Sequence, residues 1–305
     1  MEVFWSDIPE FPQFKELSLE DKPLFDTAFQ QFPPKISEFT FTNLFIWRHA
    51  YQFKMARFKK FICLMSEKKE GPFFFPSIGE GDVVECYSAL LRHLKEKGHS
   101  PRICRVPQAM ALGVDWKAAG LIAELDRNQS DYVYLVEDLA TLKGRKYHRK
   151  RNHIKQVMGK YPFQYVPLAP EWISECLHLQ DAWCDIRKCD ATPGLASEAL
   201  AVKEALTNFE TLGIRGGAIR IDGKVGAFTL GEPLNSGTVV IHIEKTNPAY
   251  DGLYPAINQS FLEKEWSGYL YVNREQDLGE EGLRKAKESY FPHHMENKYS
   301  ITLAG

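Results

Sequence analysis

An order of elements that occurs twice restricts the fold of this chain more than any other feature. YQFKMARFKKFICLMSE (51–67) reads as two strands with a tight turn at Phe58–Lys59, and GPFFFPSIG as a short apolar strand. GDVVECYSALLRHLKEKG has apolar residues at helical spacing and stops at Gly98, a normal helix end. PRICRVP follows as a strand, PQAMALGVD as a short helix, and DYVYLVE (131–137) as a closing strand. The order then returns. GGAIRIDGKVGAFTLGE (216–232) is a hairpin around Asp222-Gly223, the strongest short hairpin signal. GTVVIHIEK is a strand, GLYPAINQSFLEKEW a helix, YLYVN a strand, EEGLRKAKESYF a helix and KYSITL the last strand. The two series are offset by about 166 residues without shared sequence, so the repeat is one of architecture.

Hairpin, strand, helix, strand, helix, strand is the order of the GNAT acyltransferase fold. The expected class is therefore α/β (α+β): two tandem GNAT-like units, each a mixed central sheet flanked by helices. The expected division is a first unit over 1–140, a basic connecting helix over 141–162, and a second unit over 163–305 carrying the active site.

The connecting segment, GRKYHRKRNHIKQVMGKYP, concentrates charge. Between Leu139 and Pro170 there are eight Lys or Arg and no Asp or Glu, in a chain of net charge −2. Read as a helix, Tyr147, Ile154, Met158 and Tyr161 form an apolar stripe that includes Arg151, while Arg145, Arg149, Lys150 and Lys160 lie off it. An inward Arg151 needs an anionic partner, because an unpaired buried charge is costly. The expected partner is a substrate phosphate, with a protein carboxylate as the alternative. Arg149, Lys150 and Lys155 are further phosphate candidates, on a helix expected to lie over the cleft between the halves. A solvated connecting helix is the plainer alternative.

No stretch approaches the roughly 18 apolar residues of a membrane span, and MEVFWSDIPEF lacks the pattern of a leader. Six cysteines without a CxxC read as reduced thiols in a cytoplasmic protein. Cys176, His178, Cys184 and Cys189 cluster, but their spacing fits no standard zinc site, and no metal is expected.

LKGRKYHRKRNHIKQV followed by GLRKAKESYFP resembles the soluble C-terminal domain of phosphatidylglycerol lysyltransferases, which carry a similar basic helix and a similar LRR-x-K-x-K-F-x-P helix. IHIEKTNP, INQSF and YVNREQDLG-x-x-GLRKAKESY also resemble a stand-alone bacterial family of uncharacterised proteins with the same tandem fold. The resemblance implies acyl transfer, typically of an aminoacyl group from aminoacyl-tRNA, to an amine or hydroxyl on a small molecule, peptide or lipid headgroup. Fem-type peptidyltransferases share this fold and donor class. No cofactor is implied, because the donor is a substrate. It makes Arg284 and Lys287 phosphate contacts, Tyr290 the acid for the leaving group, and Asn258 of INQSF a binding residue. Two departures weigh against a lipid acceptor. The lysyltransferases' membrane-embedded region has no counterpart, and Tyr254-Pro255-Ala256 replaces their acidic residue after the glycine.

On VVIHIEK, His242 and Glu244 share one face, opposite Val239, Ile241 and Ile243. They are candidates to bind the acceptor or take its proton. Asn273 is expected to point into the same cleft, with Glu275 following on its loop. NPAYDGLYPA offers Gly252 as a phosphate-binding turn. The bulk of Tyr254 there argues against acyl-CoA, the alternative donor. A phosphate-binding module without catalysis is the non-enzymatic alternative.

Overall fold

The chemistry of the second hairpin turn is local, and the structure follows it. In this computed structural model, which describes residues 7–68 and 71–304, Asp222 and Gly223 take φ values of 49° and 80°. That is the two-residue turn whose twist matches flanking strands, and it pairs β10 (Arg215–Ile221) with β11 (Lys224–Asn235). The first hairpin, β2 (Phe53–Phe58) and β3 (Phe61–Ser66), turns one residue later than expected, at Lys59–Lys60. Lys59 takes the left-handed conformation there. The segment read for a leader falls partly outside the described residues.

Both sheets are mixed. The first contains β1 (Lys15–Glu16), β2, β3, β4 (Phe73–Phe74), β6 (Arg102–Pro107), β15 (Lys298–Leu303) and β7 (Leu121–Leu125) in that spatial order, with β5 (Ile78–Gly79) on β3. The second runs β14 (His294–Glu296), β8 (Asp131–Leu135), β13 (Tyr271–Asn273), β12 (Thr238–Thr246), β11, β10 and β9 (Phe163–Pro167). Each sheet contains a parallel contact, β4 with β6 and β12 with β13.

The closing strands are exchanged. DYVYL, read as the end of the first half, pairs with β13 in the second sheet, whereas KYSITL pairs with β6 and β7 in the first. The compact units are accordingly discontinuous. Unit 1 comprises Met1–Asp131, Gln276–Arg284 and Met295–Gly305; unit 2 comprises Tyr132–Glu275 and Lys285–His294. The division 1–140, 141–162 and 163–305 does not describe these bodies, because alternation marks a segment as a strand without naming its neighbour.

In unit 1 the helix Val83–Glu96, capped by Asp82 accepting from the Glu85 N–H at 2.9 Å, buries Cys86, Tyr87, Leu90, Leu91 and Leu94. They pack on Cys63, Met65, Ile103, Val106 and Ile301 of the sheet. Charge is buried here too. Lys298 and Asp131 are fully buried and bond at 2.6 Å. Lys298 also reaches Glu38 at 2.6 Å, and Arg105 holds the other side of Glu38 at 2.9 Å.

The basic helix, His148–Lys160, belongs to unit 2 rather than to a connector. Of the expected stripe Tyr147 and Ile154 are buried, but Met158 is 54 % exposed and Val157 is buried in its place. Two further helices, Ile173–Arg187 and Pro193–Thr207, follow it. Cys184 and Cys189 are joined in a disulfide, contrary to the reduced-thiol expectation, and this removes both from any zinc site. Among the described residues no cluster could hold a metal ion, and no helix is long and apolar enough to cross a membrane.

Candidate active site

The site forms in unit 2 where two parallel strands part. β12 pairs with β13 only over Thr238–Val240, and past Asn273 the chain turns away through Glu275 at φ 58°. β12 also carries a bulge: Leu230 faces Ile243 and Gly231 faces Ile241, leaving His242 as the extra residue. A bulge re-aims the side chain it carries.

His242 is held from both sides. Its Nε2 lies 2.9 Å from Glu232 Oε1 and its Nδ1 2.9 Å from Glu275 Oε1, with the ring only 1 % exposed. Burial opposes the charged ring, but the hydrogen bonds it donates to both carboxylates outweigh it and raise the pKa to about 9. At neutral pH the ring is an imidazolium with both nitrogens donating. It cannot serve as the expected base, because it has no lone pair free to take a proton.

Glu244 is placed differently. It is ion-paired with Arg274 and accepts from Asn258 Nδ2 at 3.0 Å. Thr229 stands opposite it across the β11–β12 pair, where cross-strand partners share a face. Arg274 lies 4.7 Å from the Tyr290 ring centre. Three buried polar atoms in this group have no hydrogen-bond partner among the described residues: Thr229 Oγ1, Asn258 Oδ1 and Arg274 Nη1. Such atoms are uncommon in a folded protein, and these three lie together around one carboxylate.

Tyr290 is buried, and burial pushes its hydroxyl up to about 12, against the opposing effect of Arg274. It is therefore a neutral phenol that can donate. Lys150 reaches over it, Nζ 3.7 Å from the ring centre, and donates to Ser289 Oγ at 2.7 Å. Burial, then the charges of Arg274 and Arg149, lower the Lys150 ammonium to about 8.

The remaining candidates lie elsewhere or are occupied by the fold. Asn273 is fully buried, its Oδ1 accepting from the Glu275 N–H at 2.8 Å, so it shapes the loop instead of facing a ligand. Arg284 belongs to unit 1, where it grips the buried Asp277 at 2.8 and 3.0 Å. Lys287 donates to the carbonyls of Arg274 and Glu275. Arg151 donates to the carbonyls of Leu142 and Gly144, the open end of a helix and the loop after it, and no carboxylate meets it among the described residues. Gly252, at φ 93°, begins the helix Leu253–Glu265, and a Cβ there would lie 2.8 Å from the His153 carbonyl oxygen. This glycine seats one helix on another. Tyr254 is 43 % exposed. Arg149 and Lys155 are exposed.

Glu232, Thr229 and Arg274 were not among the sequence candidates. Arg274 carries a signal, a cation directly after the buried strand YVN. Glu232 and Thr229 depend on the bulged register, which leaves none.

Two mixed-sheet units with a polar site at a strand divergence define a tandem GNAT-like protein of the acyl-transferring class. The chain belongs to the family described as phosphatidylglycerol lysyltransferase, C-terminal, which matches residues 29–302. A conserved protein of unknown function from Bacteroides thetaiotaomicron VPI-5482 is 37% identical, with a TM-score of 0.85 over 97% of this chain and 99% of that chain. The C-terminal domain of a putative lysylphosphatidylglycerol synthetase from Agrobacterium fabrum is 13% identical, with a TM-score of 0.66 over 94% of this chain and 93% of that one. L-PGS from Bacillus licheniformis is 13% identical, with a TM-score of 0.65 over 95% and 93% of the respective chains. These last two share the fold. No curated protein matches the chain.

Proposed function

We propose that this protein transfers an aminoacyl group from an aminoacyl-tRNA to an amine or hydroxyl acceptor. The observation that carries the reading is Glu244, ion-paired with Arg274 and surrounded by buried polar atoms without partners. Glu244 receives the proton as the acceptor's nitrogen or oxygen attacks the ester carbonyl. Arg274 Nη1 donates to the oxyanion that forms, and the Tyr290 phenol protonates the departing ribose oxygen. One C–O ester bond breaks, one amide or ester bond forms, and the proton taken by Glu244 replaces the one Tyr290 gives up through solvent. The exposed cations of the basic helix suit the phosphates of the donor. His242 holds the strand and the Glu275 loop in place without touching the reacting atoms.

An acyl-CoA donor is less well supported. The turn before the helix Leu253–Glu265 would have to admit a pyrophosphate, and Gly252 is packed against the His153 carbonyl.

Purified protein supplied with a mixture of charged tRNAs and candidate amine or hydroxyl acceptors tests the proposal. Deacylation dependent on acceptor is expected, and Glu244→Gln should slow it about 100-fold or more, the usual worth of a positioned proton acceptor. Full activity in that variant, or turnover with acetyl-CoA and none with charged tRNA, would sink it.

A further inference from the structure

We infer that Phe291 is a stacking platform for an unpaired base of the donor RNA beside the reacting ester, an inference that rests on the aminoacyl-tRNA reading above. Phe291 follows Tyr290 directly and is 46 % exposed. Its backbone stands at φ 54°, in the left-handed region where a bulky residue is an outlier. It ends the helix Glu281–Glu288, its N–H donating to the Glu288 carbonyl at 2.9 Å. Helices commonly end in that conformation, but on glycine, which adopts it without strain. Ending the helix therefore does not call for an aromatic ring, and strain of this kind gathers at ligand clamps.

The ring has an aromatic brace. Tyr147 meets it edge to face, centres 5.7 Å apart, and Tyr147 is itself fixed by its hydroxyl donating to the Tyr290 carbonyl at 3.1 Å. Lys146 Nζ lies 5.8 Å from the Phe291 ring centre. Lys143, Arg145 and Arg149, on the same short segment, are exposed, and none has a carboxylate partner among the described residues. Lys146 is itself paired with Asp138 at 3.0 Å, which leaves the exposed Lys143, Arg145 and Arg149 of the same segment for phosphates, and a partly exposed aromatic ring on a basic surface is what binds single-stranded nucleic acid: bases stack and phosphates are neutralised. Its place in the chain fits the chemistry. The nucleotide that bears the ester has its base and its leaving oxygen on one ribose, and Tyr290, the proposed acid for that oxygen, is the residue before.

The test uses a short labelled single-stranded RNA ending in CCA, a blunt RNA duplex of equal length and uncharged tRNA, each titrated by fluorescence anisotropy at several salt concentrations. Phe291→Gly suits the backbone and should leave the melting temperature within a few degrees of wild type. It should weaken binding of the single strand at least about fivefold, the lower end of what one base–aromatic stack contributes. Duplex affinity and the salt slope should not change, because no charge is removed. Phe291→Trp should keep or improve single-strand binding. If wild type binds tRNA and Phe291→Gly binds the single strand equally well, the platform is wrong while the aminoacyl-tRNA reading stands. An equal loss on single strand and duplex would make Phe291 a structural support and also overturn the inference. No binding of any RNA by wild type at low salt would refute the donor reading, and the platform with it.

Discussion

The clamp on His242 predicts how the stability of this protein changes with pH. A histidine whose folded pKa exceeds its unfolded value stabilises the fold while protonated, and that stabilisation is lost as pH rises through the folded value. Here the pKa goes from 6.5 to about 9, and at 1.36 kcal/mol per unit the contribution is roughly 3 kcal/mol. It is fully present below about pH 6.5 and gone above about pH 9. The ring is only 1 % exposed, so solvent screening removes little of it. Lys150 works in the opposite sense. Its lowered pKa, about 8, makes the folded state gain stability as pH rises from that value toward the unfolded one. The two are separated by comparison with His242→Gln, which lacks the titrating ring but keeps Lys150. Urea denaturation of both proteins at pH 6 and pH 9.5 should show wild type ahead by about 3 kcal/mol more at the lower pH than at the higher. A wild-type advantage that stays constant within about 1 kcal/mol across that window would refute the clamped imidazolium.

Arg151→Ala should lower stability by about 1–2 kcal/mol, since it strips a charged donor from the Leu142 and Gly144 carbonyls. Its affinity for tRNA should match wild type at moderate salt, and a collapse of RNA binding with an unchanged melting curve would reverse that assignment. Lys298→Met should cost about 3–5 kcal/mol, because Asp131 and Glu38 lose the cation each meets at 2.6 Å in the interior. Differential scanning calorimetry checks this, and a change below about 1 kcal/mol would count against it.

The second hairpin and the GNAT-like order were legible because their signals are local. Asp222-Gly223 specifies its own turn, and Leu90, Leu91 and Leu94 mark a buried helix face without reference to any partner. The strand exchange was not legible. DYVYL and KYSITL satisfy the same apolar pattern, and backbone hydrogen bonding carries no address. The site divides in the same way. Period-two alternation brought out His242 and Glu244, but their opposite roles depend on Glu232 and Arg274, which reach them through a bulge and a loop. Arg151 was read as inward and in need of an anion. It found backbone carbonyls, acceptors that every residue supplies and no sequence pattern flags.

The exchanged closing strand also dictates when each half of the molecule can form. A chain emerging from the ribosome usually folds its N-terminal domain first. Here the first sheet has β6 and β7 joined through β15, Lys298–Leu303, so that pairing waits for a segment far downstream of both. Until then the edge of β6 stays open and Asp131 and Glu38 lack Lys298. The early part of the chain thus depends on a distant strand, through contacts of high sequence separation that slow folding. Loss of β15 would damage unit 1, which holds the early strands, more than unit 2, which precedes that strand in the chain.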